Sequence, residues 1–231
     1  MGCWKSKPEK RSLLPPASLI KGEIDKNLPK QERKLILVGP PGMGKTQFFC
    51  SFKEEKFEVK MKNTSPDLAI SLCYTEFFKS KMNNIMVVLW DSAGSNDFIG
   101  ITKNFVQGRL FFFIIAESDG VLLFFDANDL ESLEKCITKW YSFVKENLDP
   151  EISKVLFVGN KIDKLGVNVD SKLYKSGSNP KFQEFDKRLQ ELKESEKGTE
   201  FEGWIDWTYT VATDPLPVQK TVKRLLKKYE I

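Results

Sequence analysis

Histidine is absent from all 231 residues. That removes Ser-His-Asp hydrolysis, H-E-x-x-H zinc chemistry and histidine acid–base catalysis. Cysteine is sparse: Cys3, Cys50, Cys73 and Cys136 form no C-x-x-C pair and no disulfide-like spacing, which suits a reducing compartment. No apolar run approaches the roughly 20 residues of a spanning helix, and the N-terminus lacks the apolar stretch of a secretory signal. A chain made and kept on the cytosolic side is expected. A nucleic-acid-binding excess of positive charge is missing too. Residues 1–34 hold nine Lys/Arg against four Asp/Glu, and the remainder holds 27 against 28, so the net charge of +4 belongs to the N-terminal segment. That placement argues for an anionic surface near the N-terminus and against a nucleic-acid partner.

The most informative stretch is Lys34 to Thr46, KLILVGPPGMGKT. It fits G-x-x-x-x-G-K-[ST] with Gly39, Gly44, Lys45 and Thr46 at the fixed positions, after an apolar strand and before a helix. Such a loop turns successive backbone N–H groups into one concavity, and the helix N-terminus adds partial positive charge. Gly42, Met43, Gly44, Lys45 and Thr46 would supply the donors; Pro40 and Pro41 have no N–H but precede that run. Lys45 would reach the β- and γ-phosphates, and the Thr46 hydroxyl would bind Mg²⁺.

At 41% hydrophobic content the chain can bury one core, so one domain with a tail is expected. Residues 1–33 read as a flexible basic tail, interrupted by Pro8, Pro15, Pro16 and Pro29, and 34–231 as the folded domain. The opening MGCWKSK fits M-G-x-x-x-[ST], the acceptor pattern for myristate on Gly2, with Cys3 beside it for palmitate. It is similar to the acylated start of Src-family kinases, and the Gly2-Cys3 pair to that of many G-protein α subunits. One acyl chain anchors only reversibly; a second, or Lys5, Lys7, Lys10 and Arg11, would complete the tether. Beyond the loop, Thr46 to Phe57 reads as a helix. Leu68 to Thr75 alternates as a strand, paired antiparallel with the apolar run Ile85 to Trp90 through Lys79 to Asn84. Val121 to Phe125, Val155 to Val158 and Trp207 to Val211 are further strands. Helices lie between and after them, with stripes Leu130/Leu133/Ile137/Trp140/Val144, Phe182/Phe185/Leu189/Leu192 and Val218/Val222/Leu225/Tyr229. An Asn128-x-x-Glu131 pattern caps the first of these helices. Alternating strands and helices imply a mostly parallel sheet covered on both faces.

Asp91-Ser92-Ala93-Gly94 ends the Ile85 to Trp90 strand, where an aspartate can hold Mg²⁺ through water and the Gly94 N–H can meet a γ-phosphate. Asn160-Lys161-Ile162-Asp163 follows the Val155 strand. The Asp163 carboxylate can accept from guanine N1–H and the 2-amino group, which adenine does not offer. Asn160 could brace the loops, and the Lys161 stem could cover the ring.

With these motifs in order, residues Lys34 to Ile231 resemble the Ras superfamily of small GTPases. WDSAG (Trp90–Gly94) is similar to the switch II opening of Rab and Ras proteins, and GNKID (Gly159–Asp163) to their guanine motif. YTVATD (Tyr209–Asp214) is similar to the fifth motif of Arf proteins and G-protein α subunits. The resemblance implies a P-loop NTPase G domain of the α/β class: a mostly parallel six-stranded sheet with one antiparallel hairpin and helices on both faces. It implies GTP/GDP contacts at Gly39, Gly42, Met43, Gly44, Lys45, Thr46 and Gln47, at Gly94, at Asn160, Lys161 and Asp163, and at Val211, Ala212 and Thr213, with the Ala212 N–H meeting guanine O6. Mg²⁺ ligands would be Thr46, Asp91 and the switch I threonine, for which Thr64 fits better than Thr75. Lys45 and the residue after Gly94 would be catalytic, and effectors and regulators would read the switch regions. The family's water-orienting glutamine is Ser95 here, and no arginine lies between Lys45 and Asp91. LFFFIIA at Leu110–Ala116 is an apolar insertion. The expected function is a slow GTPase switch in signal transduction, lipid-anchored on the cytosolic face of the plasma membrane or an endomembrane. Ser95 supports a second reading, a GTP-binding scaffold without turnover. A third, an AAA+-like ATPase suggested by GPPGMGKT, would need an acidic pair that Asp91-Ser92 does not provide.

Overall fold

The computed structural model describes residues 30–52, 70–73, 77–79, 84–92, 118–149, 151, 154–166 and 180–229. Their strands are β1 (Lys30–Val38), β2 (Ile70–Cys73), β3 (Phe77–Lys79), β4 (Asn84–Ser92), β5 (Gly120–Asp126), β6 (Lys154–Asn160) and β7 (Ile205–Tyr209). Their α-helices are α1 (Lys45–Phe52), α2 (130–147), α3 (Gln183–Ser195) and α4 (Pro215–Leu226). Among the described residues the sheet has seven strands in the order β2-β4-β1-β5-β6-β7, with β3 also on β4. The pairs β4–β1, β1–β5, β5–β6 and β6–β7 are parallel, and β2 and β3 are antiparallel to β4.

Seven strands replace the expected six because the chain opposite β4 forms two ladders. Ile70 pairs with Ser92 and Cys73 with Leu89, whereas Phe77 pairs with Met86 and Lys79 with Asn84. The register therefore shifts by one residue between the ladders, and a three-residue strand is too short to show alternation in sequence. The expected turn from Lys79 to Asn84 is where β3 hands over to β4. β1 begins at Lys30, ahead of the apolar run, because its first residues are polar but still pair with β4. β7 lies two residues earlier than read, leaving Thr210 and Val211 in the loop after it.

The middles of the central strands are apolar, and alternate residues feed two cores. Leu35, Leu37, Leu122, Phe124, Leu156 and Val158 pack with Phe48, Phe49 and Phe52 of α1 and Val218, Val222 and Leu225 of α4. Ile36, Val38, Val121, Leu123, Phe125, Val155 and Phe157 pack with α2, Phe185 and Leu189 of α3, and Trp204. Phe48 meets Phe124 edge-on at 5.0 Å, which fixes α1 over the centre of the sheet.

The predicted stripe of α2 is buried from Leu133 to Val144 and partly buried at Leu130, and a π-helical turn at Cys136–Tyr141 lies within it. The adjacent pairs Cys136/Ile137 and Trp140/Tyr141 are all buried, and the wider turn narrows the arc they span. Its cap is Asp129, not Asn128: Asp129 is extended (φ −138°, ψ 104°) and its carboxylate accepts from Glu131 N–H. Asp214 caps α4 in the same way through Leu216 N–H, with Pro215 at the first helical position.

Candidate nucleotide site

All the parallel strands end at one edge, and β1, in the middle, opens there into residues 39–44 and α1. Three glycines in this loop have positive φ: 140° at Gly39, 75° at Gly42 and 87° at Gly44. Two are also required by space. A Cβ on Gly39 would stand 2.5 Å from the Phe124 carbonyl oxygen, and one on Gly44 would stand 2.3 Å from Asn160 Nδ2. The first turn of α1 carries no acidic side chain of its own to offset its partial positive charge.

Lys45 is 5% exposed, and its Nζ donates to the carbonyls of Gly39 and Pro40 at 2.7 Å each. Burial lowers its pKa to about 8, against the opposing attraction of Asp91. The ammonium is thus held within the loop, sharing its protons with carbonyls that an anion could replace. Thr46 Oγ1 donates to Asp91 Oδ2 at 2.6 Å. Asp91, on β4 opposite Leu37, is 5% exposed, and its Oδ1 has no partner among the described residues. Burial raises its pKa, with the Thr46 hydrogen bond and the Lys45 charge opposing. A hydroxyl beside a buried carboxylate with a free oxygen fits a hard divalent cation, as expected for Thr46 and Asp91 with Mg²⁺. The Gln47 amide turns along its own helix to Ser51 Oγ at 3.3 Å. Beside the loop, an open groove of about 400 Å³ lies towards α2, lined by Pro40, Pro41, Met43, Ser132, Lys139 and Trp140.

On the base side, Asn160 at the end of β6 is 2% exposed and joins two loops. Its Nδ2 donates to the Met43 carbonyl at 2.8 Å, and its Oδ1 accepts from Ala212 N–H at 2.9 Å. The loop after β7 is tied again by Thr210 N–H to Gly159 O at 2.8 Å. Ala212 N–H, expected at guanine O6, is therefore engaged with Asn160 in this structure. Val211 and Ala212 are buried and Thr213 is exposed.

Lys161 has φ 67°, the one positive φ at a non-glycine among the described residues. Its Nζ bonds Asp126 Oδ2 at 2.8 Å, and its carbonyl accepts from Asn128 Nδ2 at 2.9 Å. Asp126 Oδ1 accepts from Asn128 N–H and Nδ2 at 3.0 and 2.8 Å. Burial alone would raise the Asp126 pKa, but these bonds outweigh it and hold the carboxyl below its ordinary range. Asp126 and Asn128 escaped the motif reading, although Asp126 ends β5 at the ligand edge, a position that marks it. Asp163 is exposed in the 3₁₀ turn Ile162–Leu165, which buried Ile162 anchors.

The expected residues Gly2, Cys3, Thr64, Thr75, Gly94, Ser95 and 110–116 lie outside the described residues. The others, from four separate stretches of chain, meet at this edge. Fold and site together define a P-loop nucleotide-binding domain.

The model of the Ras family matches residues 34–229. The chain belongs to the Ras family of small GTPases, whose members bind guanine nucleotides. It is similar to the Ras-related protein SEC4 of Candida albicans (strain WO-1), 30% identical over 131 residues, covering 56% of this chain and 55% of that protein. Ras-related protein Rab-13 of Canis lupus familiaris is 31% identical over 131 residues, covering 56% and 57%. EF-hand calcium-binding domain-containing protein 4B of Homo sapiens is 28% identical over 147 residues, 63% of this chain and 18% of that protein. The match thus spans about half of these Ras-related relatives and under a fifth of the human protein.

Proposed function

We propose that this protein is a Mg²⁺-dependent GTP/GDP switch that hydrolyses GTP slowly and is tethered to an anionic cytosolic membrane face. The observation that carries the reading is the buried Asn160 amide, which joins the phosphate loop at Met43 to the base-side loop at Ala212. A nucleotide spanning both loops is gripped at both ends, with Asp163 next to the clamp as acceptor for guanine. Sites built on such bonds discriminate by roughly 10⁴ to 10⁵. ATP should therefore compete poorly against labelled GDP, and Asp163→Asn should weaken GDP strongly; comparable ATP and GDP affinities would rule out guanine selectivity.

Mg²⁺, held by Thr46 and by Asp91 through water, would neutralise charge developing on the phosphates. Lys45 would give up a loop carbonyl to bind the β- and γ-oxygens. In hydrolysis, water attacks the γ-phosphorus while the β–γ bridging oxygen leaves with GDP. Positioning that water falls to Ser95, whose hydroxyl is shorter than a glutamine amide and cannot hold water and γ-phosphate together. With no arginine between Lys45 and Asp91, turnover on the order of 10⁻⁴ s⁻¹ or slower is expected. Single-turnover hydrolysis with and without Ser95→Gln tests this, and a wild-type rate near ~10⁻² s⁻¹ overturns it. Ser95 also supports a second reading, a scaffold in which GTP is bound and not turned over; no measurable hydrolysis in either protein would favour it.

Acylation of Gly2 and Cys3, aided by Lys5, Lys7, Lys10 and Arg11, would supply the tether. Effectors and regulators would read the residues around Thr64 and Asp91 to Asp97 as GTP orders them. Gly2→Ala and Cys3→Ser should each move the protein from membrane to soluble fractions; unchanged recovery in both excludes acyl anchoring.

A further inference from the structure

The sheet edge opposite the nucleotide carries a cation cluster that the switch chemistry does not use. Because β1, β4, β5, β6 and β7 are parallel, their first residues Lys30, Asn84, Gly120, Lys154 and Ile205 lie along this one edge. The end of α4 reaches it. Arg224 grips Asp206 at 2.9 and 2.8 Å, and Lys228 Nζ donates to the Trp204 carbonyl at 3.3 Å while standing 3.9 Å from Asp206 Oδ2.

Lys154 opens β6 one residue before Val155, the partner of Ile205, and Lys193 lies in the last turn of α3, which leads into β7. Lys228 is brought down to about 8 by burial first, then by Arg224, Lys193 and Lys154, with Asp206 alone opposing. Lys227 and Lys193 are exposed. Asp206 pairs with Arg224 and, at 3.9 Å, with Lys228, and Lys154 and Lys193 add positive charge around Lys228. Neighbouring carboxylates are spoken for: Asp119 by Arg33, Glu194 by Lys197 and Glu196 by Lys145. Asp149 and Glu151 lie in the connection into β6.

Clustered like charge at a folded surface is self-repulsive and is relieved by a polyanion. The sequence points to which one. Residues 1–29, with Gly2, Cys3 and a basic excess, enter the fold at Lys30, on this same edge. We propose that the edge marked by Lys154, Lys193, Lys227 and Lys228 is the face on which the domain lies against an anionic bilayer, turning the nucleotide edge away from the lipid. The choice of a bilayer rests on the tethering proposed above; the cluster itself does not.

The test uses the unacylated full-length chain loaded with GDP, sedimented with phosphatidylcholine vesicles with and without phosphatidylserine. Binding should require phosphatidylserine and fall with salt. Lys193→Gln/Lys227→Gln should weaken it about tenfold or more, each lysine near an anionic surface being worth roughly fivefold. Lys135→Gln/Lys139→Gln, on the groove beside the phosphate loop, should leave it unchanged. GDP retention in each variant confirms folding. Equal loss in both pairs, no loss in the first, or release by millimolar inorganic phosphate would overturn the proposal, the last by marking a small-anion site. Failure of Gly2→Ala to release the acylated protein would remove the tether but leave this measurement standing, so the two readings fail separately.

Discussion

Removing the Asn160 amide should damage phosphate binding as well as base binding. Asn160→Ala takes the amide partner from the part-buried Met43 carbonyl and the buried Ala212 N–H, which now bond it at 2.8 and 2.9 Å. Each orphaned group costs about 1–3 kcal/mol, so a loss of about 2–6 kcal/mol is expected. At roughly 2–4 °C per kcal/mol for a domain of this size, the melting temperature should fall on the order of 10 °C. Asn160→Asp is the discriminating variant. It keeps an acceptor for Ala212 N–H but sets an oxygen against the Met43 carbonyl, so the phosphate loop should suffer more than the base-side loop. The assay is thermal melting together with binding of GDP and of Mg·pyrophosphate, which has no base. Both ligands should weaken in both variants. Unchanged pyrophosphate affinity alongside weakened GDP would refute the clamp and leave Asn160 a base contact only.

Other consequences follow from the same geometry. Gly39→Ala should destabilise more than Gly42→Ala, because its Cβ meets the Phe124 backbone at 2.5 Å while Gly42 has open space and only φ strain of about 1–2 kcal/mol; chemical denaturation ranks them. Thr46→Asn should lose GTP more than GDP if the Thr46–Asp91 pair holds Mg²⁺, and equal retention of both would contradict that role. Asp126→Ala frees Lys161 Nζ and leaves the Asn128 amide only its bond to the Lys161 carbonyl, so GDP should dissociate faster with little change in melting temperature, measured by stopped-flow release of labelled GDP. Burial would raise the Asp206 pKa, but the Arg224 bond and the Lys228 charge outweigh it and lower it. The stability this adds is present above the ordinary aspartate pKa and is lost as pH falls through the lowered one. Asp206→Asn should therefore lower the melting temperature at pH 7 and flatten its decline in acid.

Much of this molecule is local information. The strand–glycine–helix passage at Lys34 to Thr46 is legible because hydrophobic run, φ-permissive residues and cap lie within thirteen neighbouring positions. The four central strands are legible for a related reason: their middles, buried on both faces, are continuous apolar runs. The stripes of α2, α3 and α4 follow from burying one face each. What sequence could not supply were contacts made by polar residues across distance. Phe77–Lys79 is too short for a period, and β1 begins in KQER, whose pairing with β4 depends on the partner strand. The π turn at Cys136–Tyr141 answers the shape of the core, since four apolar neighbours must face inward together. Asp126 meets Lys161 from 35 residues away, and Asn160 reaches Met43 across 117, because parallel strands bring their ends to one edge. The sequence alone determined the chemistry at each strand end. Tertiary structure decided which ends meet and which buried polar atoms are left to share, because hydrogen-bond geometry exists only once the sheet has set the distances.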